Sequence, residues 1–257
     1  MTFHSAAILF GAGIVGGGLA GLVGGASLIT FPALIAAGLS PVTAATTNLA
    51  SIIPANFIAA WTERSQMPPI DRAFGGLVAA SVIGALIGAL LLMVTPARAF
   101  EVLVPVLLGF STLLLAFSVR IGESIRAFAR ARGRGEMNMN IKSIPVLLPV
   151  SIYGGYFGAG VGVLLLGVLS VMTAGDYRSA NVIKNIVNGL NTVVAVTCFG
   201  ALGAISWPAA LTMGAGALLG GLIGGHLTRL VPPHAMRFAM VVLGAVLTIA
   251  YAWRYWF

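Results

Sequence analysis

Lys184, Asn188 and Asn191 stand four and three residues apart inside an apolar run, a spacing that puts all three on one helix face. Asn181 and Asn185 lie beside them. A shift of the chain by 137 positions brings Thr47, Asn48, Ser51 and Pro54 onto Lys184, Asn185, Asn188 and Asn191. Amide and hydroxyl donors with one ammonium group and no carboxylate suit an oxyanion. Lys184, Asn185, Asn188, Asn191, Asn48, Thr47 and Ser51 are therefore expected to bind a small anionic substrate. An ionisable group inside a membrane-length apolar run is a functional candidate by default. The competing reading for Lys184 is that its stem snorkels to the membrane boundary. His226, the other such group, is read as a packing or ion-coupling residue that bonds a neighbouring helix.

A second anion device lies in two glycine-rich stretches, GGGLAGLVGG and GGYFGAGVG. A half-helix that starts after a glycine turn presents free N–H groups and a positive dipole end to the membrane interior. The expected backbone donors are Gly24, Gly25, Ala26 and Ser27 in the first stretch. Their counterparts are Val161, Gly162, Val163 and Leu164. The bland alternative is a turn whose N–H groups are capped internally.

These groups need a membrane to work in. Of the 257 residues, 59% are apolar and 8% are charged, where a soluble domain carries about 25% charged residues. Mean hydropathy is +1.03. So few charges leave most of the surface unable to face water, which makes the chain an all-α integral membrane protein. The net charge of +8 would suggest nucleic acid in a soluble protein, but here Lys and Arg sit between apolar runs and mark topology. No nucleic-acid partner is expected; the lipid bilayer is. The single Cys198 excludes an intramolecular disulfide. The opening MTFHSAAILF lacks a basic n-region, so no secretory signal is expected there.

The apolar runs fall at about 5–38, 44–61, 74–94, 100–119, 144–174, 180–204, 207–229 and 236–256. A basic segment, 120–143, divides them, with Arg120, Arg126, Arg130, Arg132, Arg134 and Lys142. Residues 1–119 and 144–257 read as two repeats of one transport domain. The shift of 137 lays Gly17, Gly18, Gly21 and Gly25 on Gly154, Gly155, Gly158 and Gly162. It also lays Gly84 and Gly88 on Gly221 and Gly225.

Pro145 to Ala174 as one helix would span about 45 Å, too long for a hydrocarbon core of about 30 Å. Two halves of about 14 residues would each be too short to cross. Each repeat is therefore expected to be a glycine-broken re-entrant hairpin plus three transmembrane helices. With 120–143 in the cytoplasm, hairpins that return to their own side give inverted repeats, twelve Lys/Arg inside and two outside. Parallel repeats give nine against five, so the positive-inside rule prefers inversion.

No paired carboxylates fall inside the runs; Glu63, Asp71, Glu101, Glu123, Glu136 and Asp176 all lie in loops or at segment ends. No zinc-type cluster, Walker loop or G-x-S-x-G elbow occurs. No catalytic residue, metal or cofactor is expected.

The stretch AGIVGGGLAGLVGGASLITFPAL, the following SPVTAATTNLAS, and their repeat YGGYFGAGVGVLLLGVLSVMTAGDYRSANVIKNIVNGLN resemble the TauE/SafE family. The likeness covers nearly the whole chain. It implies a transporter of sulfite, organosulfonates or related sulfur anions in the cell (inner) membrane. Two departures bear on pocket size: Ala26-Ser27 interrupt the first glycine run, and Tyr156-Phe157 stand within the second. The reading is a secondary transporter of a small sulfur-containing oxyanion working by alternating access, not an enzyme. An anion-selective channel and, less well supported, an intramembrane enzyme are the rival classes. A coupling ion and self-association stay open at this level.

Overall fold

The computed structural model describes residues 2–23, 25–62, 64–66, 72–131, 145–173, 177–230 and 233–257. Among them the chain is all helical. The first half holds α1 (Phe3–Val23), α2 (Ser27–Ala36), α3 (Pro41–Thr62), α4 (Arg72–Val94) and α5 (Ala97–Ala131). The second half holds α6 (Leu147–Tyr156), α7 (Val161–Met172), α8 (Tyr177–Ala201), α9 (Trp207–Leu230) and α10 (Pro233–Trp256).

Local chemistry sets several of these boundaries. Pro41 and Pro233 open α3 and α10, where a fixed φ and a missing N–H cost nothing. Gly38 (φ 95°) and Gly203 (φ 68°) end α2 and α8 in the left-handed conformation that glycine adopts without a Cβ penalty. Leu39 N–H then bonds the Leu34 carbonyl at 3.2 Å and Ala204 N–H that of Phe199 at 2.9 Å, satisfying carbonyls the helix ends would leave open.

Among the described residues five helical stretches are long and apolar enough to cross a membrane: Pro41–Trp61, Phe74–Val94, Ala97–Ile121, Ser179–Ala201 and His234–Trp256. The apolar side chains Leu86, Leu90, Leu113, Leu222 and Ile249 are exposed on the outside of the bundle, as lipid contact requires. Arg64 and Arg254 lie over the rings of Trp61 and Tyr255 at 4.5 and 5.6 Å, aromatic-basic pairs at span ends. The basic segment expected as a linker begins as helix, because α5 continues through Ala131. The rest of it, 132–143 with Arg132, Arg134 and Lys142, lies outside the described residues.

The two halves pack by exchange. Helix α1 lies along α9, and α6 along α4. Helix α3 meets α9, and α8 meets α4; α2 meets α3 and α10, and α7 meets α8 and α5. Replacing each helix by its counterpart five places on maps these contacts onto one another. Two counterpart pairs, α5 with α10 and α3 with α8, touch and run in opposite directions. Trp256 Nε1 donates to the Val102 carbonyl at 3.0 Å, Gly109 faces Thr248, and Gly244 faces Thr112, so numbers rise along α5 as they fall along α10. Thr46 Oγ1 reaches the Ala204 carbonyl at 2.6 Å, beyond the end of α8, while Asn56 meets Asn188 deeper in both helices, so α3 and α8 are also antiparallel.

The first hairpin departs from expectation. Helix α1 has 21 residues, about 31 Å, rather than a half-length of about 14 residues. Its glycines are a packing seam. A Cβ at Gly13 or Gly17 would overlap the backbone of Met213 or Ala217, and one at Gly216 or Gly220 would overlap that of Phe10 or Ile14. The chain breaks only at the end of the glycine stretch, around Gly25 and Ala26, and α2 folds back so that Thr30 faces Gly16. In the second hairpin the break is where GGYFGAGVG stands. Helices of 10 and 12 residues flank it, each well under 30 Å.

Candidate functional site

The interior of the bundle is polar where α3 and α8 cross. Thr47, Asn48, Ser51 and Asn56 of α3 are buried, as are Lys184, Asn185 and Asn191 of α8. The hairpins close on this crossing. Phe31 of α2 and Phe157 at the second break meet edge to face, with centroids 5.3 Å apart, and Gly158 faces Leu49 of α3.

In the first half, Asn48 fastens the hairpin. Its Oδ1 accepts from Thr30 Oγ1 at 2.5 Å, and its Nδ2 donates to Ser27 Oγ at 3.0 Å. Ser51 Oγ donates to the Asn48 carbonyl at 2.8 Å. Thr47 Oγ1 accepts from Ser206 N–H at 3.0 Å, just before α9 begins. The first-turn N–H groups of Leu28 and Ile29 bond back to the Gly25 and Ala26 carbonyls, both at 3.0 Å. Gly25 and Ala26 are buried, and a Cβ on Gly25 would press on the mobile end of Met240. Gly24 lies outside the described residues.

In the second half, the turn is held from two sides. Tyr153 Oη and Ser111 Oγ both donate to the Ala159 carbonyl, at 2.6 and 2.8 Å. Gly158 and Gly160 take φ of 78° and 76°. The N–H groups of Val161 and Val163 bond the Gly158 and Gly160 carbonyls, at 3.4 and 3.0 Å, so part of the expected backbone donor set is capped internally. Gly162 is buried between them.

Along α8 the amides are less fully used. Asn188 Nδ2 donates to Asn56 Oδ1 at 3.3 Å. Asn191 Oδ1 accepts from Ser81 Oγ at 2.7 Å, and Ser81 pairs with Ser151 at 3.0 Å. The Nδ2 groups of Asn56, Asn185 and Asn191 are buried with no partner among the described residues. Lys184 is 4% exposed and is the one buried charged side chain among the described residues. It takes part in an interaction of its own and is not a free ammonium group. His226 falls within α9, and its side chain is outside the described set.

Asn56, Ser81, Ser151, Ser111 and Tyr153 were not expected from sequence. Small polar residues inside apolar runs were the only signal, and nothing local joins Ser81 to Asn191, which is 110 positions away. Among the described residues no three His, Cys, Asp or Glu come together to hold a metal. Neither described carboxylate, Glu101 or Glu123, is buried.

A multi-helix membrane bundle with a buried polar crossing is the frame of a transporter. The family profile described as "Sulfite exporter TauE/SafE" matches residues 9–251. The chain belongs to the TauE/SafE family. It is 25% identical over 252 residues to "Probable membrane transporter protein ORF9" of Sinorhizobium sp, covering 97% of this chain and 93% of that one. It is 23% identical over 247 residues to "Probable membrane transporter protein YfcA" of Escherichia coli K12, covering 94% and 87%. A "Probable membrane transporter protein" of Haemophilus influenzae is 22% identical over 242 residues, covering 94% and 92%. No solved structure matches. As a TauE/SafE member the chain is a multi-pass membrane transporter and not an enzyme.

Proposed function

We propose that this TauE/SafE protein is a secondary transporter of a small sulfur-containing oxyanion, built as two inverted repeats that alternate access around the α3–α8 crossing. The observation that carries the substrate class is the donor excess at that crossing: three buried amide NH2 groups without partners, beside a buried lysine and no buried carboxylate among the described residues. An oxyanion offers only acceptors and a negative charge, and so complements this set. Lys184 contributes positive potential, which acts more strongly in a desolvated interior than in water. The family description points to the same chemistry by naming sulfite. The opposite run of α5 against α10, and of α3 against α8, supports inversion, since parallel repeats would leave such counterparts running the same way.

The test is flux in proteoliposomes with radiolabelled sulfite, thiosulfate, sulfate, taurine and sulfoacetate. Saturable uptake of at least one of them, with counterflow driven by unlabelled anion inside, is the expected result. Non-saturating flux without counterflow would assign a channel instead. No flux of any of the five would remove the substrate class.

A further inference from the structure

We infer that the two hairpins do unequal work: the first is locked shut by its own side chains, and the anion binds in the second, with Asn185 as its principal ligand. The inference rests on the oxyanion-transporter reading above. The shift of 137 pairs Asn48 with Asn185, and both side chains are buried, at 1% and 2% exposure. Asn48 spends its amide on α2, taking a hydrogen from Thr30 and giving one to Ser27. The corresponding positions on α7 are Leu164 and Gly167, which offer no hydroxyl. The same asparagine in the same setting is therefore left with a buried Nδ2 that has no partner among the described residues.

A buried amide donor without an acceptor is destabilising, because it has given up water and gained nothing. Such a group persists where a ligand supplies the acceptor. Gly167 adds room, since it stands where the first repeat has the side chain of Thr30. An oxygen of the anion takes the place that the Ser27 hydroxyl has in the first half. The Lys184 charge sits next along α8, and Asn188 with Asn56 lies one turn further on. This assignment also explains why a duplicated protein needs only one substrate site. The first copy of the site is filled by protein, and its hairpin serves as a fixed wall.

The experiment measures melting temperature of the purified full-length protein in detergent, titrated with sulfite and, separately, sulfate, thiosulfate, taurine and sulfoacetate. A ligand that binds only the folded state raises that temperature by mass action. Two variants are compared with the parent: Asn185→Leu, and the double variant Leu164→Ser/Gly167→Thr, which gives Asn185 the partners that Asn48 has. The expected result is an anion-dependent rise in the parent, and an apparent affinity at least about tenfold weaker in both variants. Without anion, Asn185→Leu should melt at or above the parent temperature, because it removes an unpaired donor. Asn185→Leu with affinity within about twofold of the parent overturns the inference and leaves the oxyanion reading standing. So does a loss of several degrees in its ligand-free melting temperature, which is the mark of a structural amide. A parent protein that none of the five anions stabilises overturns the oxyanion reading, and this inference with it.

Discussion

Asn48 and Asn185 are equivalent under the shift of 137 positions and both are buried, so their neighbours and not their burial set them apart. The amide of Asn48 bridges two hydroxyls on another helix. Asn48→Ala should remove the bonds to Ser27 and Thr30, of which Thr30 keeps its bond to the Ala26 carbonyl, and cost about 1–3 kcal/mol, read as a lower melting temperature of the ligand-free protein. Ser27→Ala should cost less, since Asn48 keeps its bond from Thr30, and the two changes together should be less than additive. Lys184→Gln should act on binding: removing the one buried charge among the described residues weakens anion affinity by at least about tenfold. Unchanged affinity in ligand titrations of Lys184→Gln would reduce Lys184 to a structural role. The spacing of four and three that sets Lys184, Asn188 and Asn191 on one face of α8, with Asn185 beside it, could be read from the sequence. Their partners could not, because Asn56 is 132 positions from Asn188 and no periodicity spans that gap.

At the scale of the elements, glycine carries two meanings that sequence does not separate. In α6–α7 the glycines make the turn, and Gly158 and Gly160 need positive φ. In α1 they are a seam against α9, with Gly216 and Gly220 as the other side. Both patterns put small residues about four apart, so α1 was expected too short, although the break falls at the end of GGGLAGLVGG, where the following half-helix was expected to begin. Only the partner helix, some two hundred positions away, decides between them. Paired substitutions separate the roles. Gly17→Ala would drive a methyl into the Ala217 backbone and should lower folded yield and melting temperature, whereas Gly11→Ala meets nothing within 4 Å and should be neutral or slightly stabilising. Gly160→Ala should cost about 1–2 kcal/mol for the left-handed backbone alone. Its Cβ would also meet Ser111, a contact that loosens the grip on the Ala159 carbonyl. Fluorescence-detected size exclusion and thermal melting of these three variants give the comparison.

The whole molecule turns on direction. The likeness of the two halves at a shift of 137 positions leaves two arrangements open, and counting Lys and Arg favours inversion without testing residues 1–43, which contain neither. The bundle adds an independent constraint. Helices related by a two-fold axis along the membrane normal point the same way, while those related by an axis in the membrane plane point oppositely. Three contacts along α5 and α10, at Val102–Trp256, Gly109–Thr248 and Thr112–Gly244, fix these counterparts as antiparallel. If α5 enters the cytoplasm at its basic end, as the count of Lys and Arg favours, α10 leaves it. The first helix of each half runs with its partner from the other half. Gly13 and Gly17 climb α1 as Met213 and Ala217 climb α9, and Gly84 and Gly88 climb α4 as Leu148 and Ile152 climb α6. The two termini should therefore share the face opposite the 120–143 segment. Single cysteines at positions 2, 133, 202 and 257, in a Cys198→Ser background, test this with an impermeant thiol reagent on intact cells. Thr2, Leu202 and Phe257 are exposed in the bundle and should label from outside, and position 133 only after the membrane is opened. Labelling of position 257 only after opening would place both halves in the same orientation and overturn the inverted reading.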